Sequence, residues 1–524
     1  MPKLLKLLLI AAFFNALVWI VLIPVWQYPD EQAHFAQVQN LAELGVSSTG
    51  KADTSEEIAI SEKIFGTERD GFGNNRYTYH PEFNIDYSDT NEGLFENYIE
   101  SLDKSSRANL IKKEATHNPP LYYFLGSLFY KVFDWEDLFT RVYAVRLMSA
   151  ILFLTTIFIS YKIALIIFKN RLLQIILPTL VAFKPMLVFS STGVLPDPLT
   201  NLLFTLVIYL SLKILYWGIG MKIIIKSTVV IILGILTRQQ FLISFPVILL
   251  SIIYRLVIDR VINKIFFLLF ASVLVLVYFL SFVIPSFFNS HIPKIPEVGR
   301  PNLALILNKN FIDHATQTLK HTYFEVMPWY WGVFRWLSFT LPPVIYQIIS
   351  RLVLFTLIGV IIKVSASIIR RKVTGLDKAL YFMIIFSIFY FAALLVWDYY
   401  FRLQYGFSFG IQGRYFFPTV IAHLSIILIG FVALFEYIFK KYAKWGFLIL
   451  ALIMIIFNNT SLYFVSTSYY STENLLIFLR QASQYKPELL KGYAIFFIVV
   501  LALLSQAFYL VTLYKFIHKK NVEG

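Results

Sequence analysis

Uncharged apolar runs dominate the pattern of the chain, at 7–29, 336–350 with 352–362, 379–397, 415–435, 445–472 and 492–514. Several reach the roughly 20 residues a helix needs to cross ~30 Å of hydrocarbon. With the shorter runs between charged clusters they predict about twelve crossings, near 7–27, 146–168, 172–190, 198–216, 223–238, 241–258, 265–286, 341–363, 379–397, 415–437, 445–466 and 493–514. The expected fold is all-α: a polytopic membrane protein in which residues 1–524 form a single transmembrane domain with short interfacial helices and outer loops. The first run is long and has no small-residue cleavage site ahead of Tyr28-Pro29-Asp30-Glu31, so it reads as the first crossing helix and not as a removed signal.

Composition agrees. Of 524 residues, 58% are hydrophobic and 15% charged, against about 25% charged in a soluble domain. The absence of cysteine excludes a disulfide framework, a thiolate metal site and a cysteine nucleophile. With the N-terminus inside, the alternate faces that become cytoplasmic hold 23 basic and 4 acidic residues, of 46 and 31 in the whole chain. Net charge is then +19 inside and −4 elsewhere, which is the positive-inside bias and predicts N-in and C-in.

The extramembrane mass falls outside: a first loop at 28–145, of which 28–118 carries 17 acids and 8 bases, a second at 287–340, and shorter ones at 398–414 and 467–492. The inner loops are short and basic, with no room for a nucleotide-binding domain and no Gly-rich phosphate loop, so ATP-driven chemistry is not expected. No nucleic-acid partner is expected, and no internal repeat is visible, which counts against many transporter folds.

Several charges stand where lipid should be. Only 172–183 separate Arg171 from Lys184, about 18 Å of helix, too short to cross. Lys184 therefore falls in the outer half of the membrane, and Arg238 does so after the short run 227–237. Asp197 lies between two prolines in Leu195-Pro196-Asp197-Pro198, and Arg414 closes Gln412-Gly413-Arg414-Tyr415. Cations at this depth face water, a partner or a ligand. One reading pairs Lys184 with Asp197 and lets both arginines reach headgroups. The other is a hydrated outer cavity that binds a lipid phosphate or pyrophosphate, which suits the planar fork of arginine.

Asp30 and Glu31 follow the first crossing. Proline ends that crossing, and Asp30 is placed to cap a new helix running through Asn40 to Leu44. The pair is either capping and interfacial charge or includes a general base at the membrane face. His117-Asn118-Pro119-Pro120-Leu121-Tyr122-Tyr123 starts a helix of about 14 residues, too short to span and expected along the interface. Its aromatics either stack on sugar or anchor in headgroups, and His117 reads most simply as a surface or capping residue. Asp313, His314 and His321 invite a metal reading, but His314 and His321 are two helical turns apart, too separated for one ion without a bend.

These residues, in order, resemble the GT-C superfamily of polytopic glycosyltransferases, which use polyprenyl-phosphate-linked sugars. The resemblance rests on Asp30-Glu31 with His34-Phe35, on His117-Asn118-Pro119-Pro120-Leu121-Tyr122-Tyr123, on Arg146 with Ser149, and on Asp197. Trp331-Gly332 with Trp336, Leu341-Pro342-Pro343 and Gln412-Gly413-Arg414-Tyr415-Phe416-Phe417-Pro418 narrow it to a bacterial and archaeal family of large membrane proteins of unknown function. The resemblance covers nearly the whole chain.

It implies an inverting transfer at the extracytoplasmic face of the plasma or inner membrane. The donor would be a polyprenyl-phosphate sugar and the acceptor a cell-envelope glycan, lipid or protein. Asp30 would be the base, with Glu31 shaping the site or helping to hold a metal. His117, Lys184, Arg238 and Arg414 would contact the donor phosphate, with His34, Asn118, Tyr122, Arg146, Asp197, Gln412 and Tyr415 orienting substrate. Some members of the superfamily use a divalent cation, Mg or Mn, and others do not; no tight ligand cluster assigns a metal here. Residues 515–524 read as a basic tail and not a soluble C-terminal domain, which leaves acceptor recognition to loops such as 45–110 and 287–340. Competing readings are an envelope polysaccharide polymerase or ligase and a lipid-linked glycan transporter or flippase. Any of the enzyme readings requires Asp30 and Arg414 to lie within about 20 Å around one chamber.

Overall fold

The computed structural model describes residues 3–46, 54–68, 87, 92–111, 118–259, 309–439 and 442–522. His117, the expected crossing at 265–286 and the 287–308 part of the second loop lie outside the described residues.

The protein is an all-α polytopic membrane bundle. The helices are α1 (Lys3–Leu22), α2 (Glu31–Leu44), α3 (Glu56–Ile64), α4 (Glu92–Glu100), α5 (Ser105–Ala108), α6 (Leu121–Val132) and α7 (Leu138–Ile167). There follow α8 (Arg171–Ala182), α9 (Pro185–Thr192), α10 (Asp197–Trp217), α11 (Met221–Ile235) and α12 (Ser244–Asp259). After the undescribed stretch come α13 (Lys309–His321), α14 (Met327–Trp331), α15 (Pro343–Ile369), α16 (Gly375–Tyr405), α17 (Val420–Ile438), α18 (Ala443–Thr467), α19 (Leu475–Ser483) and α20 (Tyr493–Val522). Two small antiparallel pairs, Thr54–Ser55 with Leu110–Ile111 and Val333–Phe334 with Phe339–Thr340, clip loops together.

Among the described residues nine helices are long and apolar enough to cross a membrane. The expected third crossing is not one rod. α8 and α9 meet at 58°, because Pro185 opens α9 and a residue before proline is driven out of the helical region. Lys184 accordingly has φ −75° and ψ 110°. The expected fifth crossing is the 15-residue α11, about 22 Å long and shorter than the hydrocarbon layer.

α15 and α17 approach backbone to backbone: a Cβ on Gly359 would collide with the carbonyl of Gly430, the small-residue contact that membrane helices use in place of hydrophobic drive. α1 packs against α7, α9 and α20, and side-chain amides tie it to α18. Asn458 Nδ2 donates to Asn15 Oδ1 at 2.7 Å, and Asn458 Oδ1 accepts from Trp19 Nε1 at 3.2 Å. Asn458→Ala strands both partners in an apolar setting, an expected loss of about 1–2 kcal/mol. A thermal melt in detergent checks it; an unchanged midpoint contradicts the assignment.

Candidate functional site

The site starts from how α1 ends. Arg146 on α7 closes that terminus, donating to the carbonyls of Ile20, Ile23 and Pro24 at 3.2, 2.8 and 2.8 Å. The same guanidinium grips Glu31 in a fork, Nε to Oε1 at 2.8 Å and Nη2 to Oε2 at 2.6 Å. Both carboxylate oxygens are also capped by backbone: Trp26 N donates to Oε2 at 3.0 Å and Val194 N to Oε1 at 3.1 Å. Arg146 and Glu31 are both fully buried. Glu31 thus shapes the site from behind, and its four hydrogen bonds leave no oxygen turned toward a metal or a substrate.

Asp30 differs from its neighbour. α2 begins at Glu31 and ends at Leu44, as the sequence predicts, but Asp30 does not cap it. Its backbone is left-handed, φ 62° and ψ 15°, and its side chain makes no cap hydrogen bond. A non-glycine residue in that region costs on the order of 1 kcal/mol and is held by its surroundings. The turn turns the carboxylate to Arg414, whose Nη2 lies 3.1 Å from Asp30 Oδ2 across 384 residues of chain. Trp336, placed by a left-handed turn at 335–337, fixes the segment from the other side: its Nε1 donates to Trp26 O at 2.6 Å.

Arg414 sits in a seven-residue 3-10 stretch, Gly413–Thr419. Gln412 Oε1 accepts from its Nε at 2.9 Å, and its guanidinium carbon lies 5.8 Å from the ring centre of Tyr415. Gly413 is required because a Cβ there would run into the backbone of Trp329 and Tyr330. The same aromatic segment receives Lys184, whose Nζ donates to Tyr330 O and lies 3.8, 4.8 and 4.7 Å from the ring centres of Tyr330, Trp331 and Phe417. Lys184 does not pair with Asp197; it is buried in an aromatic box that supports the Arg414 turn.

Asp197, at the start of α10, pairs instead with Arg238 at the end of α11. Its Oδ2 is buried with no hydrogen-bond partner among the described residues. Tyr122 holds the turn before it: Leu195 N donates to the Tyr122 hydroxyl at 3.0 Å, and Ser149 lies 2.8 Å from the same oxygen. His34 Nδ1 and the Tyr123 hydroxyl are 2.8 Å apart. His34 lies within Coulombic range of Asp30, Asp197, Arg238 and Arg414, and so does Tyr415. Two ion pairs from four distant segments therefore form one cluster, in which the charges of the described residues balance. It is only partly exposed, with Asp30 31% and Arg238 19% exposed, against 8% for Arg414 and 9% for Asp197.

Burial holds the His34 imidazole down at about 4. The unfolded chain then binds more protons than the folded one between about pH 4 and 6.5, so stability falls as the pH drops through that window. The contribution is roughly 3 kcal/mol. The difference in melting point between wild type and His34→Gln should change sharply from pH 7 to pH 4.5; a constant difference contradicts the assignment.

Among the described residues no divalent-cation site is assembled. Asp30 and Asp197 are each committed to an arginine, Glu31 is saturated, and the His34 Nδ1 is taken by Tyr123. No group of three or more histidine or acidic donors converges among the described residues. In the second loop, His314 turns to Asp398 at 3.4 Å and His321 to Glu325 at 3.2 Å, so the two go to different partners.

Of the predicted site residues, Asp30, His34, Asp197, Arg238, Gln412, Arg414 and Tyr415 come together. Tyr122, Arg146 and Glu31 lie behind them as supports, and Asn118 is half-buried at the entry to α6. Sequence reasoning gave Tyr123 only the sugar-stacking or headgroup role of its helix, not its contact with His34, and did not find the box that Tyr330, Trp331 and Phe417 form around Lys184. The Lys184-Pro185 step carried the signal for a break in the third crossing.

The backbone is similar to that of an oligosaccharyltransferase of Archaeoglobus fulgidus in its apo form, with 13% identity and a TM-score of 0.46 over 93% of this chain and 57% of that one. The Archaeoglobus fulgidus oligosaccharyltransferase AglB in complex with an inhibitory peptide and a dolichol-phosphate gives 15% identity and a TM-score of 0.42, over 89% and 55% of the two chains. ArnT from Cupriavidus metallidurans in the apo state gives 12% and 0.40, over 95% and 74%. The chain thus spans little more than half the length of the oligosaccharyltransferase. No curated protein sequence matches it. A family profile does match, over residues 13–422, and the chain belongs to that family, the predicted membrane proteins DUF2142.

Proposed function

We propose that this protein is a GT-C-type glycosyltransferase that moves a sugar from a polyprenyl-phosphate donor to a cell-envelope acceptor at the extracytoplasmic face of the membrane. The observation that carries the reading is the meeting of Asp30 with Arg414 beside Asp197 and Arg238. The order of the sequence motifs and a charge bias that favours an N-in, C-in orientation both support it.

In this reading an acceptor hydroxyl attacks the anomeric carbon while Asp30 takes its proton. The new bond to the acceptor oxygen forms as the bond to the phosphate oxygen breaks, and its electron pair leaves on polyprenyl phosphate. Arg414 and Arg238 stabilise that developing charge, the electrostatic part of the catalysis. The buried, unpartnered Oδ2 of Asp197 is the acceptor available to a sugar hydroxyl that enters the cluster. His34, held neutral, lines the cluster without adding charge. Lys184 and Glu31 act through the positions of Arg414 and of the 193–197 turn.

The test is incubation of purified protein with defined polyprenyl-phosphate sugars and envelope acceptors, following release of polyprenyl phosphate. Release with transfer of the sugar supports the reading. Release only from diphosphate-linked oligosaccharides would assign a polymerase or ligase, and flux across proteoliposomes without transfer a flippase.

A further inference from the structure

Below the cluster, α10 carries polar groups into the membrane. Asp197 and Asn201 are four residues apart and share a face of that helix, with Phe204 one turn further on. Asp197 Oδ1 goes to Arg238, while Oδ2 is buried with no hydrogen-bond partner. Asn201 is 3% exposed and its Nδ2 has no partner either, so the two side chains do not satisfy each other. On α16, Tyr390 is fully buried and its hydroxyl is also without a partner. Its ring meets Phe204 edge-on at 5.7 Å between centres, and it lies within Coulombic range of both Asp197 and Arg238. Phe241, on the 3-10 turn Gln239–Ile243 that follows Arg238, packs on Phe204 at 4.4 Å.

Buried polar groups almost always find a partner, because leaving one unpaired is costly. Here three gather beside one ion pair, and their chemistry is mixed. A carboxylate oxygen only accepts, an amide nitrogen only donates, and a phenol hydroxyl does both. A phosphate would be repelled by the carboxylate, and a lipid tail would leave all three unpaired. Neighbouring hydroxyls of a sugar satisfy the set, since each can donate and accept, and the rings of Phe204 and Phe241 offer apolar wall to its C–H groups.

We propose that Asp197, Asn201 and Tyr390 form the subsite for the transferred sugar and read neighbouring hydroxyls of a neutral hexose. Asn201 and Tyr390 are then specificity-determining residues, and Arg238 joins the subsite to the phosphate side through Asp197. This rests on the reading of the protein as a polyprenyl-phosphate-sugar transferase.

The test compares binding of short-chain polyprenyl phosphate with that of its glucose, mannose and galactose conjugates, using purified full-length protein in detergent. Tyr390→Phe and Asn201→Leu should each weaken the best-bound conjugate about fivefold, the worth of one neutral hydrogen bond. Polyprenyl phosphate itself should stay within about twofold, because the lost groups touch only sugar. Neither variant strands a protein partner, so melting points should hold or rise. One singly deoxygenated form of the best hexose should bind the wild type about tenfold more weakly, since it leaves a buried group unpaired. In the Asn201→Leu, Tyr390→Phe double variant that penalty should shrink to about twofold.

Equal losses for polyprenyl phosphate and its conjugates, or lowered melting points, would make these residues supports of the fold and overturn the subsite. Unchanged binding of the conjugates by both variants overturns it as well, as does a deoxygenation penalty that persists in the double variant. If the wild type binds neither polyprenyl phosphate nor any conjugate, the transferase reading fails and the subsite falls with it. If it discriminates among the sugars while the variants discriminate equally well, only the subsite fails.

Discussion

Asp30→Asn reduces sugar transfer on the order of a thousandfold, within the 10²–10⁴ range that a positioned general base supplies, while the protein folds and binds donor. The variant is close to isosteric, and its amide keeps a hydrogen-bond acceptor facing Arg414, 3.1 Å from the carboxylate in the native pair. What it loses is the ability to accept a proton. Steady-state transfer from a polyprenyl-phosphate sugar should show the loss in kcat, with donor affinity retained or improved. Transfer by Asp30→Asn at more than about a tenth of the wild-type rate would be too fast for a protein that has lost its general base.

The largest stability effect is expected at Arg146. Arg146→Leu leaves the Glu31 carboxylate buried without a counter-charge and uncaps three carbonyls at the end of α1. Breaking one side of a buried pair costs about 3–5 kcal/mol, a large share of the roughly 5–15 kcal/mol by which domains are stable. Little folded protein should accumulate. Glu31→Gln combined with Arg146→Gln removes both charges and should recover part of the loss, as read from detergent melts and yield. A melting point for Arg146→Leu within a few degrees of wild type would show that the pair is not a support.

The parts of the fold that were legible in the sequence are those set by local physics. Apolar runs long enough to cross, the proline stop after α1, the short helix from Leu121 and the break at Lys184-Pro185 all follow from solvation and chain geometry. Asp30, Asp197, Arg238 and Arg414 stood out for the same reason, since each is a charge where a charge is costly.

What could not be read is the pairing, which depends on contacts across hundreds of positions. Glu31 and Asp30 are adjacent and look alike, yet a left-handed turn sends one to Arg414 and the other inward to Arg146. Capping was the locally sensible role for Asp30, and tertiary contact with Arg414 overrode it. Lys184 looked like a phosphate ligand because only its depth was visible, and its aromatic partners come from 330–331 and 417.

The claim on which the account turns is that positions 30 and 414 meet at the extracytoplasmic end of the bundle. The native chain has no cysteine, so a single pair can be introduced at these two positions and probed in intact cells. A short bifunctional thiol reagent that cannot cross the membrane should join Asp30→Cys to Arg414→Cys from outside. Joining only by a membrane-permeant reagent, or none by either, would contradict the account.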